Sequence, residues 1–180
     1  IDFLFEGTHV KFDGGLVAHV GVADPFCTDL STLLADSVQE VEGKVHRSGA
    51  YITIEGPRSS TRAESNTYRA WGMSIIGMTT SPEAFLAREA ELCYAVMAHI
   101  TDYDVWHQIE EPVSAEMVFQ IVKQNTRLAQ EALRDLLTRL PIEWECECQH
   151  ALKNSFATSF GNVSDEDLER LSLLVERFRS

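Results

Sequence analysis

The sequence predicts an α/β fold, a largely parallel or mixed sheet covered by helices on both faces. Three observations carry this. Short apolar segments rich in β-branched residues alternate with longer segments of helical periodicity. Most of the apolar segments run nearly uninterrupted, as strands buried on both faces do. Polar residues then gather just past the carboxyl ends of three of them, where open α/β sheets hold their ligands.

Each element has a local reason. LVAHVGV, residues 16–22, alternates in polarity and reads as a strand. In TDLSTLLADSVQEVEG, Leu30, Leu33, Leu34, Val38 and Val41 fall on one helical stripe, and Gly43 supplies the stop. AYITIEG, residues 50–56, is β-branched and reads as the second strand. Thr61 and Glu64 have the spacing of a capping box and start a helix that ends at Gly72. MSIIGMT, 73–79, is the third strand, and Ser81-Pro82-Glu83 opens the next helix with a cap, a proline and an early acid. CYAVMAHITD, 93–102, reads as a fourth strand, apolar until its carboxyl end. Ser114 begins a long amphipathic helix closed by Pro141, and residues 164–178 form a final one.

At 180 residues the chain suits one such domain with a sizeable core, and 1–180 reads as a single domain without repeats or linkers. Its 28 acidic and 15 basic side chains give a net charge of −13. This argues against nucleic acid as a partner, because neutralising phosphates takes clustered Lys and Arg. The longest apolar runs are too short to span a bilayer. No charged-then-apolar leader opens the chain. The four cysteines are too few for a disulfide scaffold and fit a reducing cytoplasm.

The sharpest chemical signal is TDYDVWH, residues 101–107. In an extended segment residues two apart face the same way, so Asp102 and Asp104 are expected to point together. Crowding favours a proton on one of them, and a neutral acid beside a charged neighbour can serve a leaving group. An aspartate capping the following loop is the plainer reading, and a metal pair the weaker one, with only Glu110-Glu111 nearby as further ligands. EGPRSSTR, 55–62, offers backbone N–H groups, three hydroxyls and two guanidinium groups at a helix start, where anions are favoured. Capping of that helix by Ser60 or Thr61 explains the same residues. His19 on an apolar strand is more often a core histidine than a ligand, and Met78 more often packing than pocket lining. Trp71 and Trp106 read as packing residues. Cys146 and Cys148 are closer than the spacing of ordinary structural zinc sites, leaving two buried thiols as the expectation and a redox pair as the alternative.

Together TIEGPRSSTRAES, YRAWG, IIGMTTSPEAFLAREAELCYA and TDYDVWH closely resemble the methylthioadenosine phosphorylases of the trimeric purine nucleoside phosphorylase family; HVGVADPFC and ALKN fit the same pattern. The resemblance implies a three-layer α/β/α sandwich around a central mixed sheet, the nucleoside phosphorylase fold, incomplete at its amino terminus. It also implies a homotrimer or hexamer in the cytoplasm. The implied reaction is phosphorolysis of methylthioadenosine, with inorganic phosphate as co-substrate and neither metal nor organic cofactor. A purine nucleoside phosphorylase for inosine or guanosine, or a non-catalytic nucleoside-binding fragment, are the alternatives.

By the same resemblance, Asp102 faces purine N7 and Asp104 the 6-amino group. Ser60 lines the base pocket, and Ile76 and Met78 pack on base and ribose. Thr79 contacts phosphate, Thr101 lies at the same end of the pocket, and His19 lies near the sugar's 5′ side. Ala115 and Val118 surround the methylthio group. The chain departs from the family pattern in two places. Ser59 stands where the family usually carries an aromatic over the purine. The family's glycine-rich first strand and its phosphate-binding Arg-His pair are not matched.

Overall fold

A computed structural model describes residues 15–107 and 115–179, with Ala115 described in its backbone only. The chain forms two compact units, one made of 28–81 with 95–144 and the other of the segment ending at Cys27 with 82–94 and 145–180. Among the described residues no helix is long and apolar enough to cross a membrane.

The first of these units holds the sheet. β1 (Tyr51–Thr53) and β2 (Ile75–Gly77) pair in parallel, with Tyr51 opposite Ile75, Ile52 opposite Ile76 and Thr53 opposite Gly77. Backbone bonds from Ile54 to Gly77 and from Ser74 to Ala50 carry the pairing a step further at each end. Both strands lie at the expected places but are three residues long, and their side chains are only half-buried. Close approach is a sequence requirement here: a Cβ on Gly77 would fall 1.8 Å from the Tyr51 hydroxyl.

α1 (Thr28–Glu40) and α4 (Ala115–Arg139) pack together in this unit, α1 burying Leu34, Ala35 and Val38, and α4 burying Ala132 and Leu136. α1 ends as expected near Gly43, although Glu42 takes the left-handed conformation at φ 59°. Gly43 is needed for room, since its Cβ would stand 2.6 Å from Val38 Cγ1. Ser114 and the Glu110-Glu111 pair lie outside the described residues.

α2 (Arg62–Ala70) crosses from β1 to β2. Its capping box forms as read: Glu64 N–H donates to the Thr61 hydroxyl and Thr61 N–H to the Glu64 carboxylate. Gly72 closes the helix at φ 83°. Arg58 holds both Glu64 oxygens at 2.7 and 2.9 Å, and this guanidinium, followed by the Thr61 N–H, lowers the carboxyl from 4.5 to about 2. A depressed carboxyl contributes stability above its unfolded value and loses it as pH falls toward the folded one. The thermal midpoints of wild type and Glu64→Gln are therefore expected to converge between pH 4.5 and pH 2. A gap that stays constant across that window would rule the pair out as a stabiliser.

α3 (Thr80–Glu89) is interrupted at Ser81, which sits at φ −98°, ψ 134°. The residue before a proline is pushed out of the helical region, so the regular helix starts at Pro82, the position the sequence marks.

The other unit is built on a core of Leu16, Ala18, Leu152, Val163, Leu168 and Val175, with Phe156, Phe160 and Phe178 against it. Of the strand expected over 16–22, only Val17 and Ala18 carry bridges, Ala18 pairing antiparallel with Phe156, flanked by His19 N–H to Ser155 and Ala157 N–H to Val17. The strand expected over 93–102 is not a strand among the described residues. Apolar composition fixes burial, not pairing, and its side chains are half-buried to exposed. The final helix is broken as well, into α5 (Asp165–Arg170), α6 (Ser172–Val175) and a tighter turn over Glu176–Phe178 that sets Phe178 on Phe156 at 5.1 Å. Ser164 caps α5, and three acids fill its first turn.

Candidate active site

All the sequence-predicted site residues except His19 belong to the sheet-bearing unit. Direct contacts join the ends of β1 and β2 with each other and the 101–107 segment with α2. The loop after β1 meets the end of β2 at Gly56, whose Cβ would lie 2.8 Å from Met78 Sδ. The 101–107 segment is held to α2 twice: Arg62 donates to the Val105 carbonyl at 2.9 Å, and the Arg69 guanidinium lies 3.7 Å over the Trp106 ring. α4, which carries Ala115 and half-buried Val118, is tied to the residue just before that segment by Asn125, which donates to the Ile100 carbonyl at 3.3 Å.

Ser60 lies in the loop between β1 and α2. The cap of α2 is Thr61, so Ser60 is released from that duty. Its hydroxyl is buried and has no hydrogen-bond partner among the described residues. Leaving a hydroxyl so costs roughly 1–3 kcal/mol, which a bound polar group would recover. The anion site expected at the start of α2 is instead filled from within. Glu64 accepts the Thr61 N–H and gives its own N–H to the Thr61 hydroxyl, Arg58 is committed to Glu64, and Arg62 to Val105.

The two aspartates have different surroundings. Asp104, half-buried, accepts from the Val105 N–H at 2.9 Å and so performs the loop-capping that the plainer reading foresaw. Asp102 is exposed, and its Oδ2 accepts the Thr101 hydroxyl at 2.7 Å, which orients the carboxylate. Ile76 is half-buried on β2, while Met78 and Thr79 at its end are exposed. His19 is exposed in the other unit, against its reading as a core histidine.

An aromatic group beside Asp102 and Asp104 escaped the sequence reading. Tyr103 stacks on His107 at 4.6 Å, and Trp106 meets both rings edge-on. Trp71 and Trp106 read only as packing residues, yet Trp71 is 48% exposed and Trp106 carries a cation on its face. The crowding of three rings into five residues after Thr101-Asp102 was the available signal. Among the described residues, the side chains that could hold a metal ion are four cysteines of the other unit rather than a group containing either aspartate.

Comparison with known proteins decides the lineage of this arrangement. Residues 1–140 match the family described as the phosphorylase superfamily. The chain belongs to that superfamily. The S-methyl-5′-thioadenosine phosphorylase of Geobacter sulfurreducens is 48% identical over 164 residues, covering 91% of this chain and 57% of the relative. A methylthioadenosine phosphorylase from an Antarctic soil metagenomic library superposes with a TM-score of 0.83 at 38% identity, covering 91% of this chain and 58% of that one. The Schistosoma mansoni methylthioadenosine phosphorylase in complex with adenine gives 0.71 at 30% identity, over 79% of this chain and 57% of the other. The fold is therefore the α/β nucleoside phosphorylase fold of these structures, and the chain spans a little under three fifths of their length.

Proposed function

We propose that this protein is an S-methyl-5′-thioadenosine phosphorylase. The C1′–N9 bond of methylthioadenosine breaks, an oxygen of inorganic phosphate forms the new bond to C1′, and adenine leaves with a proton at N7. The products are adenine and 5-methylthioribose-1-phosphate. The observation that carries the reading is the buried, unpartnered Ser60 hydroxyl in the loop after β1, together with the Asp102 carboxylate that Thr101 orients. Relatives bearing that activity by name support it.

In this reading Asp102 delivers the proton to N7. The departing base carries negative charge in the transition state, and a proton supplied there lowers the barrier. Asp104 accepts from the 6-amino group, which selects adenine over a 6-oxo purine. Ser60 hydrogen-bonds the base, Ile76 and Met78 pack on base and ribose, and Thr79 contacts phosphate. Ala115 and Val118 surround the methylthio group. The aromatic cover absent at Ser59 is supplied by the Tyr103, Trp106 and His107 rings. No metal or organic cofactor enters the reaction, and the working assembly is a cytoplasmic homotrimer.

The test is phosphate-dependent release of base from methylthioadenosine and from inosine, measured separately with the full-length protein. Methylthioadenosine should be preferred by at least about tenfold in kcat/KM, the range one mismatched pocket supplies. Equal or faster turnover of inosine would reject the assignment of Asp104.

A further inference from the structure

Four cysteines far apart in sequence converge in one unit. The sulfurs of Cys27, Cys93, Cys146 and Cys148 all lie within 4.8 Å of one another. Cys27 and Cys148 are buried, and the other two are half-buried. We propose that this cluster is a closed tetrathiolate site for a divalent zinc-like cation, with a structural role separate from the phosphorolysis chemistry.

The geometry suits the metal. Four sulfurs at about 2.3 Å from a tetrahedral zinc stand about 3.8 Å apart. That value falls between the 3.0 Å of Cys93 and Cys146 and the 4.8 Å limit of the group. The short pair is still well beyond the roughly 2.05 Å of a disulfide. The one-residue spacing of Cys146 and Cys148, an argument against zinc in the sequence alone, is resolved by the backbone. Cys146 is extended at φ −153°, ψ 166°, and Cys148 lies within the tight turn Glu147–His150 that follows. The pair supplies two corners and the distant cysteines the other two.

The surroundings also favour a soft cation. Cys27 N–H donates to the Tyr94 carbonyl at 2.8 Å, which pins the Cys27 and Cys93 segments side by side. Arg88 donates to Cys148 Sγ at 3.4 Å and is steadied by the Gly21 carbonyl. A guanidinium at that position offsets part of the double negative charge of a tetrathiolate complex. On binding, four S–H protons pass to solvent and four S–metal bonds form, with no change in oxidation state. All-sulfur tetrahedral ligation selects zinc over magnesium or calcium. With all four positions taken by protein, the ion has no site left for substrate.

The experiment uses the full chain purified under reducing, oxygen-free conditions. Elemental mass spectrometry should find about one equivalent of zinc per chain, as a closed site requires. After chelation, added Co²⁺ should restore about one equivalent with the sulfur-to-cobalt charge-transfer band and strong visible absorption of a tetrahedral thiolate complex. In Cys148→Ser that band should weaken and shift. Should the variant fail to fold, the wild-type cobalt spectrum decides alone. Absence of the band while four thiols remain titratable would overturn the proposal, and so would an intact mass lower by the hydrogens of one or two disulfides.

Discussion

Replacing Asp102 by Asn is expected to slow adenine release from methylthioadenosine by roughly 10²- to 10⁴-fold, the contribution of a positioned general acid. The substitution keeps shape and leaves an amide oxygen to accept the Thr101 hydroxyl, now at 2.7 Å from Oδ2. It removes only a group able to hand over a proton. The loss should therefore appear in kcat, with KM little changed, because the missing interaction exists in the transition state alone. Thermal unfolding should not move, since the side chain is exposed. Single-turnover adenine release at saturating phosphate reads the chemical step directly. Wild-type turnover in this variant would remove Asp102 from the reaction.

Leu152→Ala is expected to cost about 2–5 kcal/mol of stability, the range of large-to-small changes in well-packed cores. Leu152 is fully buried in the cluster with Leu16, Ala18, Val163, Leu168 and Val175. Its backbone is fixed on both sides. The N–H donates to Glu91 at 2.8 Å, and the carbonyl accepts from the N–H and hydroxyl of Ser155. Glu91 is itself paired with Arg177. A chain held this way closes poorly over a cavity, which places the cost in the upper part of the range. Urea unfolding should show a lower midpoint with the slope unchanged. A loss below about 1 kcal/mol would mean that the neighbours collapse into the space.

The starts of α2 and of the regular part of α3 were legible because their signals are local. Thr61 and Glu64 announce α2 by a spacing of three, and Ser81-Pro82 fixes the start of the regular part of α3 through a steric rule that needs no tertiary information. Strand pairing is not local. Residues 93–102 carry the right composition, yet no ladder forms on them among the described residues, because a strand exists only through its partner. The site shows the same division. EGPRSSTR and TDYDVWH were both marked, and contacts tie them together through Arg62 and Val105. Which hydroxyl caps and which stays vacant was open in the sequence, since Ser60 and Thr61 are chemically equivalent at a helix start. Which aspartate secures the loop was equally open. The cysteine cluster depends on folding that brings positions 27, 93, 146 and 148 together, and spacing along the chain pointed the other way.

The carboxylate of Glu64, held by Arg58 and by the Thr61 N–H, sets the protein's own negative charge at the entrance to α2. An anion arriving there from solution meets a like charge and a guanidinium already engaged.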